Sequence, residues 1–205
     1  MNQGVLNQTL EEGNKQFPSG GGSKFFNLEE GDNKIRIIST MQVIGKHYIQ
    51  GAGYYKVCIG QEHNCPWCKG DINDQKVSPK YLCWVIDRTD GDKTKLAEFS
   101  YTVLKSIDDV TKIEEYHFVM GADGIFPYDL NIRMIEGKKK GEKRQYNIIP
   151  GAVKVLSAEK IKEVKALDHP MQIVENIKKK ARDEEASSGG SETITIEPPK
   201  DAVPF

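Results

Sequence analysis

The chain has 205 residues, 38% of them hydrophobic and 29% charged, with a formal net charge of −1. That is enough for one domain with tails, or one domain and a small appendage. No apolar run approaches the ~20 residues of a membrane-spanning helix, so no membrane partner is expected. The sequence opens without a hydrophobic leader, so a cytoplasmic, reducing setting is expected.

The near-neutral total hides two blocks of opposite sign. Residues 131–146 carry six Lys/Arg against Glu136 and Glu142, whereas residues 183–205 carry six acids against Lys200. A basic body with an acidic tail points to a polyanionic partner.

Residues 1–23 are polar and end in Phe17-Pro-Ser-Gly-Gly-Gly-Ser23, a flexible arm by composition. A helix over Leu6–Glu12 would have nothing to hold it. The globular body is placed at 24–156. Phe25, Phe26 and Leu28 lead into a turn at Glu30–Asn33. The strand Lys34–Ser39 then alternates, with Ile35 and Ile37 toward a core and Lys34 and Arg36 outward. Met41–Ile49 reads as its continuation or a second strand, broken by Gly45. After a Gly51-Ala-Gly53 turn, Tyr54–Val57 delivers the chain to Cys58.

From Cys58 to Cys68, three of the four cysteines fall within eleven residues, two of them as Cys65-Pro-Trp-Cys68. Two histidines lie within reach, His63 inside the stretch and His47 before it. Three thiolates and one imidazole make the closed tetrahedral set a structural zinc ion prefers, so one structural zinc is expected in a knuckle spanning 47–70. Gly60 and Gly70 flank it, where cramped backbone is expected. A thioredoxin-like redox pair would open a helix, and Lys69-Gly70-Asp71 is a poor helix start. A catalytic zinc would keep an open position and an acid–base group nearby, and none clusters here. A disulfide would need an oxidising compartment.

Beyond the knuckle, Ser78-Pro79 opens a strand over Lys80–Ile86. Asp87–Asp92 is a hairpin turn with Asp90-Gly91 at its tip, and Lys95–Tyr101 returns. Val103, Leu104, Ile107, Val110 and Ile113 follow helical spacing. Gly121–Gly124 turns the chain. Tyr128–Ile135 and Lys143–Ile149 form a hairpin around the basic Gly137–Gly141 loop, and Pro150-Gly151 closes the domain. This order predicts a mainly β protein: an OB-fold, a five-stranded Greek-key barrel, with an inserted zinc knuckle and one internal helix. Such barrels bind oligonucleotides across one face. A helical segment is expected over 157–182, capped by Ser157 and divided at Pro170. An acidic disordered tail is expected over 183–205.

No phosphate loop, nucleophile elbow or catalytic metal set is present, so the chain is not expected to be an enzyme. What remains is cations interleaved with rings: Lys34, Arg36, Tyr48, Tyr54, Tyr55, Lys56, Tyr81, Trp84, Arg88, Phe99, Tyr101, Arg133, Lys143, Arg144 and Tyr146. Cations along a backbone and flat rings under bases are what single-stranded nucleic acid binding requires. Of these, Trp84 and Phe99 read as core members ahead of ligand contacts, since a small barrel needs large side chains. Cys83, alone in a strand, reads as a buried residue, and His117 and His169 have no partner pattern.

Residues 24–150 resemble the zinc-containing single-stranded DNA-binding, helix-destabilising proteins of T-even and related phages. The matching features are Gly31-Asp32-Asn33-Lys34-Ile35-Arg36, the His47-Tyr48 pair, Cys58, Cys65-Pro66-x-Cys68, the Tyr81–Ile86 strand and the Phe99–Ile113 strand and helix. The resemblance implies sequence-independent binding of single-stranded DNA in phage replication, recombination and repair, in the cytoplasm of an infected or lysogenic bacterial host. It also implies a ligand order of His, Cys, Cys, Cys, which places His47, Cys58, Cys65 and Cys68 on the metal, with His63 as the alternative to His47. Those phage proteins join neighbours along the strand through a basic N-terminal arm. Residues 1–23 here hold Lys15 with Glu11 and Glu12, so any self-association along DNA would need another route. The end of the chain, with Asp201, Val203, Pro204 and Phe205, looks like the acidic Pro-Phe tip of bacterial single-stranded DNA-binding proteins. That likeness implies recruitment of replication and recombination proteins. The competing expectation is a zinc-stapled protein-interaction adaptor, or a non-catalytic subunit of a nuclease or polymerase assembly.

Overall fold

The computed structural model describes residues 24–49, 54–68, 77–118, 124–135, 137 and 144–188. The expected N-terminal arm, Gly70, Lys143 and the tip at 201–205 lie outside them. The protein is mainly β. Its strands are β1 (Phe25–Phe26), β2 (Gly31–Ile37), β3 (Gln42–Ile49), β4 (Tyr54–Val57), β5 (Val77–Asp87), β6 (Lys93–Ser100), β7 (Tyr128–Ile135) and β8 (Gln145–Val153). The helices are α1 (Tyr101–Thr111), α2 (Ala158–Lys165) and α3 (Pro170–Ser188).

All eight strands belong to one sheet of order β1-β6-β5-β2-β7-β8, with β3 paired to β5 and β4. The sheet is mixed because β1 runs parallel to β6, while the other pairings are antiparallel. Its spine is β5. One edge of β5 pairs along its length with β6. On the other edge, its first half takes β3, from His47↔Val77 to Gln42↔Leu82, and its last residues take β2, from Ile37↔Val85 to Ile35↔Asp87. Thus β2 and β3 continue along the same edge of β5 around a corner at 38–41. There the Ile38 amide donates to the Trp84 carbonyl, and the Trp84 amide donates to Ser39 Oγ. The expected five strands become eight because this strand is broken at the corner and because the short β1 and β4 are added.

The alternation of β2 directs Ile35 and Ile37, both 0% exposed, into a core shared with Cys83, Val85, Phe99, Phe126, Tyr128, Leu130 and Ile132. Helix α1 closes that core through Val103, Ile107 and Val110, spaced to lie on one face. Ser100 caps α1 by accepting from the Val103 amide. Each such large side chain, fully buried, contributes about 1.5–3 kcal/mol.

A second cluster lies on the far side of the sheet. Ile44, Leu82 and Leu96 pack against Val174 of α3, flanked by Val57, Trp84, Ile173 and Ile177. His169 caps α3, its Nδ1 accepting from the Met171 amide, and Pro170 takes the first helical position, where a missing N–H costs nothing. The helix then runs to Ser188, so the acids Asp183, Glu184 and Glu185 are helical and the expected disordered tail does not begin at 183. At this end Glu185 pairs with Lys56 of β4 at 3.0 Å, and Ser187 Oγ donates to the Asp183 carbonyl.

Arg36 departs from its expected outward position and is 1% exposed. The β2–β7 pairing ends at Ile35↔Leu130, and Asp129 follows as the next residue outward on β7, beside Arg36. Arg36 Nε donates to Asp129 Oδ1 at 2.6 Å, and Nη1 donates to the Lys154 carbonyl at 2.5 Å. Arg88 donates to the same Asp129 oxygen and pairs with Asp92, so both arginines serve the framework.

Asp87, at the end of β5, accepts from the Thr89 amide and hydroxyl and from Lys95 Nζ. Burial by itself would raise the Asp87 carboxyl, but the hydrogen bonds from Thr89 and Lys95 outweigh it and hold the pKa below its ordinary value. A depressed carboxylate stabilises the fold above its unfolded pKa of about 4, and the contribution is lost as pH falls through the folded value. The melting temperature of the wild type is therefore expected to fall more steeply than that of Asp87→Asn below about pH 4. Circular dichroism melts across that range check it, and parallel curves would refute the assignment.

Candidate metal centre and the surface beside it

Three pieces of chain converge on the metal-binding group. His47 is 0% exposed on β3, where it lies opposite Lys56 of β4 and Val77 of β5. Cys58 follows β4 directly and is drawn against β3 by a hydrogen bond from its amide to the Gly45 carbonyl, at 2.8 Å. A Cβ on Gly45 would meet Val77 Cγ1 at 2.8 Å and Cys58 Cβ at 3.3 Å. The glycine that breaks the β3 pattern is therefore what lets Cys58 approach. Beyond it Gly60, at φ 92°, turns the chain, and its carbonyl accepts from the His63 and Cys65 amides. The Cys68 amide donates to the Cys65 carbonyl across Pro66 and Trp67, a tight turn that aims both sulfurs the same way.

The ligand atoms of His47, Cys58, Cys65 and Cys68 all lie within 4.8 Å of one another. His47 Nε2 is 3.7 Å from Cys65 Sγ and 3.5 Å from Cys68 Sγ, and Cys58 Sγ is 3.4 Å from Cys68 Sγ. Around a tetrahedral zinc, bond lengths of ~2.3 Å to sulfur and ~2.0–2.1 Å to nitrogen give S···N edges of about 3.5 Å and S···S edges of about 3.8 Å. The four groups can bind one metal ion, and their dimensions suit that one. Burial first, then the neighbouring thiols of Cys58 and Cys65, push the Cys68 thiol up to about 12. Sulfurs crowded this closely need a cation to shed their protons, so metal binding here releases protons.

His63 stands outside this set. It is exposed, and its Nε2 accepts from Arg182 Nη1 at 2.8 Å, on the side facing α3. Cys83 is buried in the core away from the other three cysteines, and burial raises its thiol to about 12.

The interleaved rings and cations divide into three groups. Phe99 is 1% exposed and belongs to the core, as do the partly buried rings of Tyr81 and Tyr146 packed against it. Arg36 and Arg88 are spent on Asp129, and Trp84 lies under α3, its Nε1 donating to the Asp168 carbonyl. Lys56 pairs with Glu185 and sits 5.3 Å from the Trp67 ring centre, and Arg133 pairs with Asp32 at 3.2 Å. The open group comprises Tyr48, Tyr54, Tyr55 and Tyr101, 43–58% exposed, with Lys34 and Arg144 also at the surface.

Two cations absent from the expected set join that group. Lys80 Nζ lies 4.8 Å from the Tyr55 ring centre, and the Tyr55 and Tyr48 rings are 5.2 Å apart. Lys46 pairs with Glu98 on the same face. Both lysines line a cleft of about 450 Å³ together with Phe25, Glu98, Phe99, Arg144 and Tyr146. The alternation of β3 and β5 could have signalled Lys46 and Lys80, but the breaks at Gly45 and Pro79 obscure which face each strand presents. Comparison of the chain with family models, with curated proteins and with solved structures found no match.

Proposed function

We propose that this chain is a non-enzymatic, sequence-independent single-stranded DNA-binding protein in which one structural zinc holds a wall of the binding surface. The observation that carries this reading is the cleft lined by Lys46, Lys80, Arg144, Tyr146 and Phe25, continued by the exposed Tyr55 and Tyr48 rings. Phosphates find cations there and bases find flat rings, and no donor–acceptor code for particular bases is needed. The strand order supports an OB barrel: β2 with β3 as its first strand, then β5, β6, the helix α1, β7 and β8. In that barrel the connections between strands one and two and between four and five border the ligand face. Here these are the metal-bearing stretch between β3 and β5 and the basic loop between β7 and β8. The zinc knuckle would then be part of the binding surface. The protein acts in phage-type replication, recombination and repair in a bacterial cytoplasm, and the tip at Asp201, Val203, Pro204 and Phe205 recruits partner proteins.

A second reading, a zinc-stapled protein adaptor, draws on α3, which docks on the outer side of the metal-bearing stretch through Glu185–Lys56 and Arg182–His63. Titration with oligo-dT, followed by intrinsic fluorescence over a salt series, separates the two. The lead reading expects quenching, and a log–log salt slope of about −1.4 if Lys80 and Arg144 each neutralise a phosphate, at about −0.7 apiece, with Lys46 held by Glu98. No affinity at low salt, or equal affinity for duplex, would overturn it.

A further inference from the structure

On the opposite end of β8 from Arg144 lies a cavity of about 420 Å³ with a different chemistry. Its apolar lining includes Val153, Val155 and Ile161, of which Val153 is 72% and Val155 86% exposed. Three cations, Arg36, Lys154 and Lys165, also line it, and no acidic side chain does among the described residues. Arg36 is the telling member. It is 1% exposed, and its Nη2 has no hydrogen-bond partner among the described residues. Its Nε is satisfied by an Asp129 oxygen that Arg88 also uses, and its Nη1 by the Lys154 carbonyl. A guanidinium donor shut away from water without an acceptor is rare in a folded protein, and an acceptor arriving from the adjoining cavity would relieve it.

We propose that this cavity is a binding site for a free apolar acid, an aliphatic or aromatic body carrying one carboxylate. The body replaces water over Val153, Val155 and Ile161. The carboxylate meets Arg36 and the flanking lysines: one of its oxygens accepts from the spare Nη2 in a charge-assisted hydrogen bond, and the other faces the lysines. The volume is in the range of small-molecule pockets, which are mostly apolar with a few converging polar groups. The site is independent of the proposed single-stranded DNA binding and shares no residue with the cleft at Lys46 and Lys80.

Octanoate is the probe, titrated into the isotope-labelled full chain and followed by amide chemical shifts. Saturable shifts confined to residues 153–156 and 161–165 are expected. Lys165→Glu and Val155→Asp, both at exposed positions that the fold tolerates, should weaken binding about tenfold or more, and octanol should bind weaker than octanoate by a similar factor. Arg36→Lys keeps the charge but loses the spare nitrogen, and should weaken octanoate more than octanol. Shifts that never saturate, shifts gathered instead around Trp84 and Ile177 beneath α3, or equal binding of octanol would each overturn the proposal.

Discussion

Replacing His47 with alanine is expected to strip the metal and lower the melting temperature by about 10 °C. The four ligand atoms sit within 4.8 Å of one another, and His47 is the member that comes from the sheet while the three sulfurs come from the stretch after β4. Losing the imidazole opens the tetrahedron and leaves a fully buried gap beneath β4. A metal held at a thousand times its dissociation constant stabilises the folded state by about 4 kcal/mol. In a chain of this size each kcal/mol moves the midpoint by about 2–4 °C, which brackets the expected fall. His63→Ala is the control, because that ring faces Arg182 and not the sulfurs, and it should keep both the metal and the melting temperature. Elemental analysis of the purified variants, with melts before and after a chelator, reads both quantities. Metal lost from His63→Ala and kept by His47→Ala would reverse the assignment. The effect should also travel: with β3 no longer tied to the stretch after β4, the His63–Arg182 contact that meets α3 should loosen.

How far the residues foretold the structure depended on whether a local pattern was enough. The cysteine spacing was enough to bring Cys58, Cys65 and Cys68 together, but not to choose between His47 and His63, which depends on how β3 pairs with β4 and β5. Alternation was enough for Ile35 and Ile37 but failed one residue between them. Arg36 looks outward on β2 alone, and only the β7 register and the chain after β8 show that Asp129 and the Lys154 carbonyl cover it. Phe99 stood among the candidate rings while its size favoured the core, where the structure places it; a ring on a β-strand is core or ligand platform according to a face that its own strand does not declare. The length of α3 was missed for another reason. Asp183-Glu184-Glu185 followed by Ser and Gly has the composition of a disordered segment, yet the helix runs through it, with Arg182 against His63 and Glu185 paired to Lys56 of β4.

Phe99 and Tyr55 offer the sharpest test of that division, because both fitted the pattern of rings for stacked bases. Phe99→Ala is expected to cost about 3–5 kcal/mol of stability, the usual range for emptying a buried aromatic site. Its ring meets Phe26 edge-on at 6.5 Å within the core, where the residual space cannot be refilled by water without loss. At the exchange rate of about 2–4 °C per kcal/mol, the midpoint should drop by about 6–20 °C, while the fraction that remains folded should bind oligo-dT within about twofold of the wild type. Tyr55→Ala should do the reverse. The residue is 48% exposed on the edge strand β4, so its loss should leave the melting temperature within a degree or two. If a base stacks there, the missing ring removes about 1–3 kcal/mol of binding, or about 5- to 150-fold in affinity. Lys80 would also lose the ring it lies against, so Lys80→Ala in the Tyr55→Ala background should cost less than Lys80→Ala alone. A Tyr55→Ala protein that melts early and binds normally would move Tyr55 into the framework. It would leave the cleft around Arg144 and Tyr146 as the remaining place for single-stranded DNA.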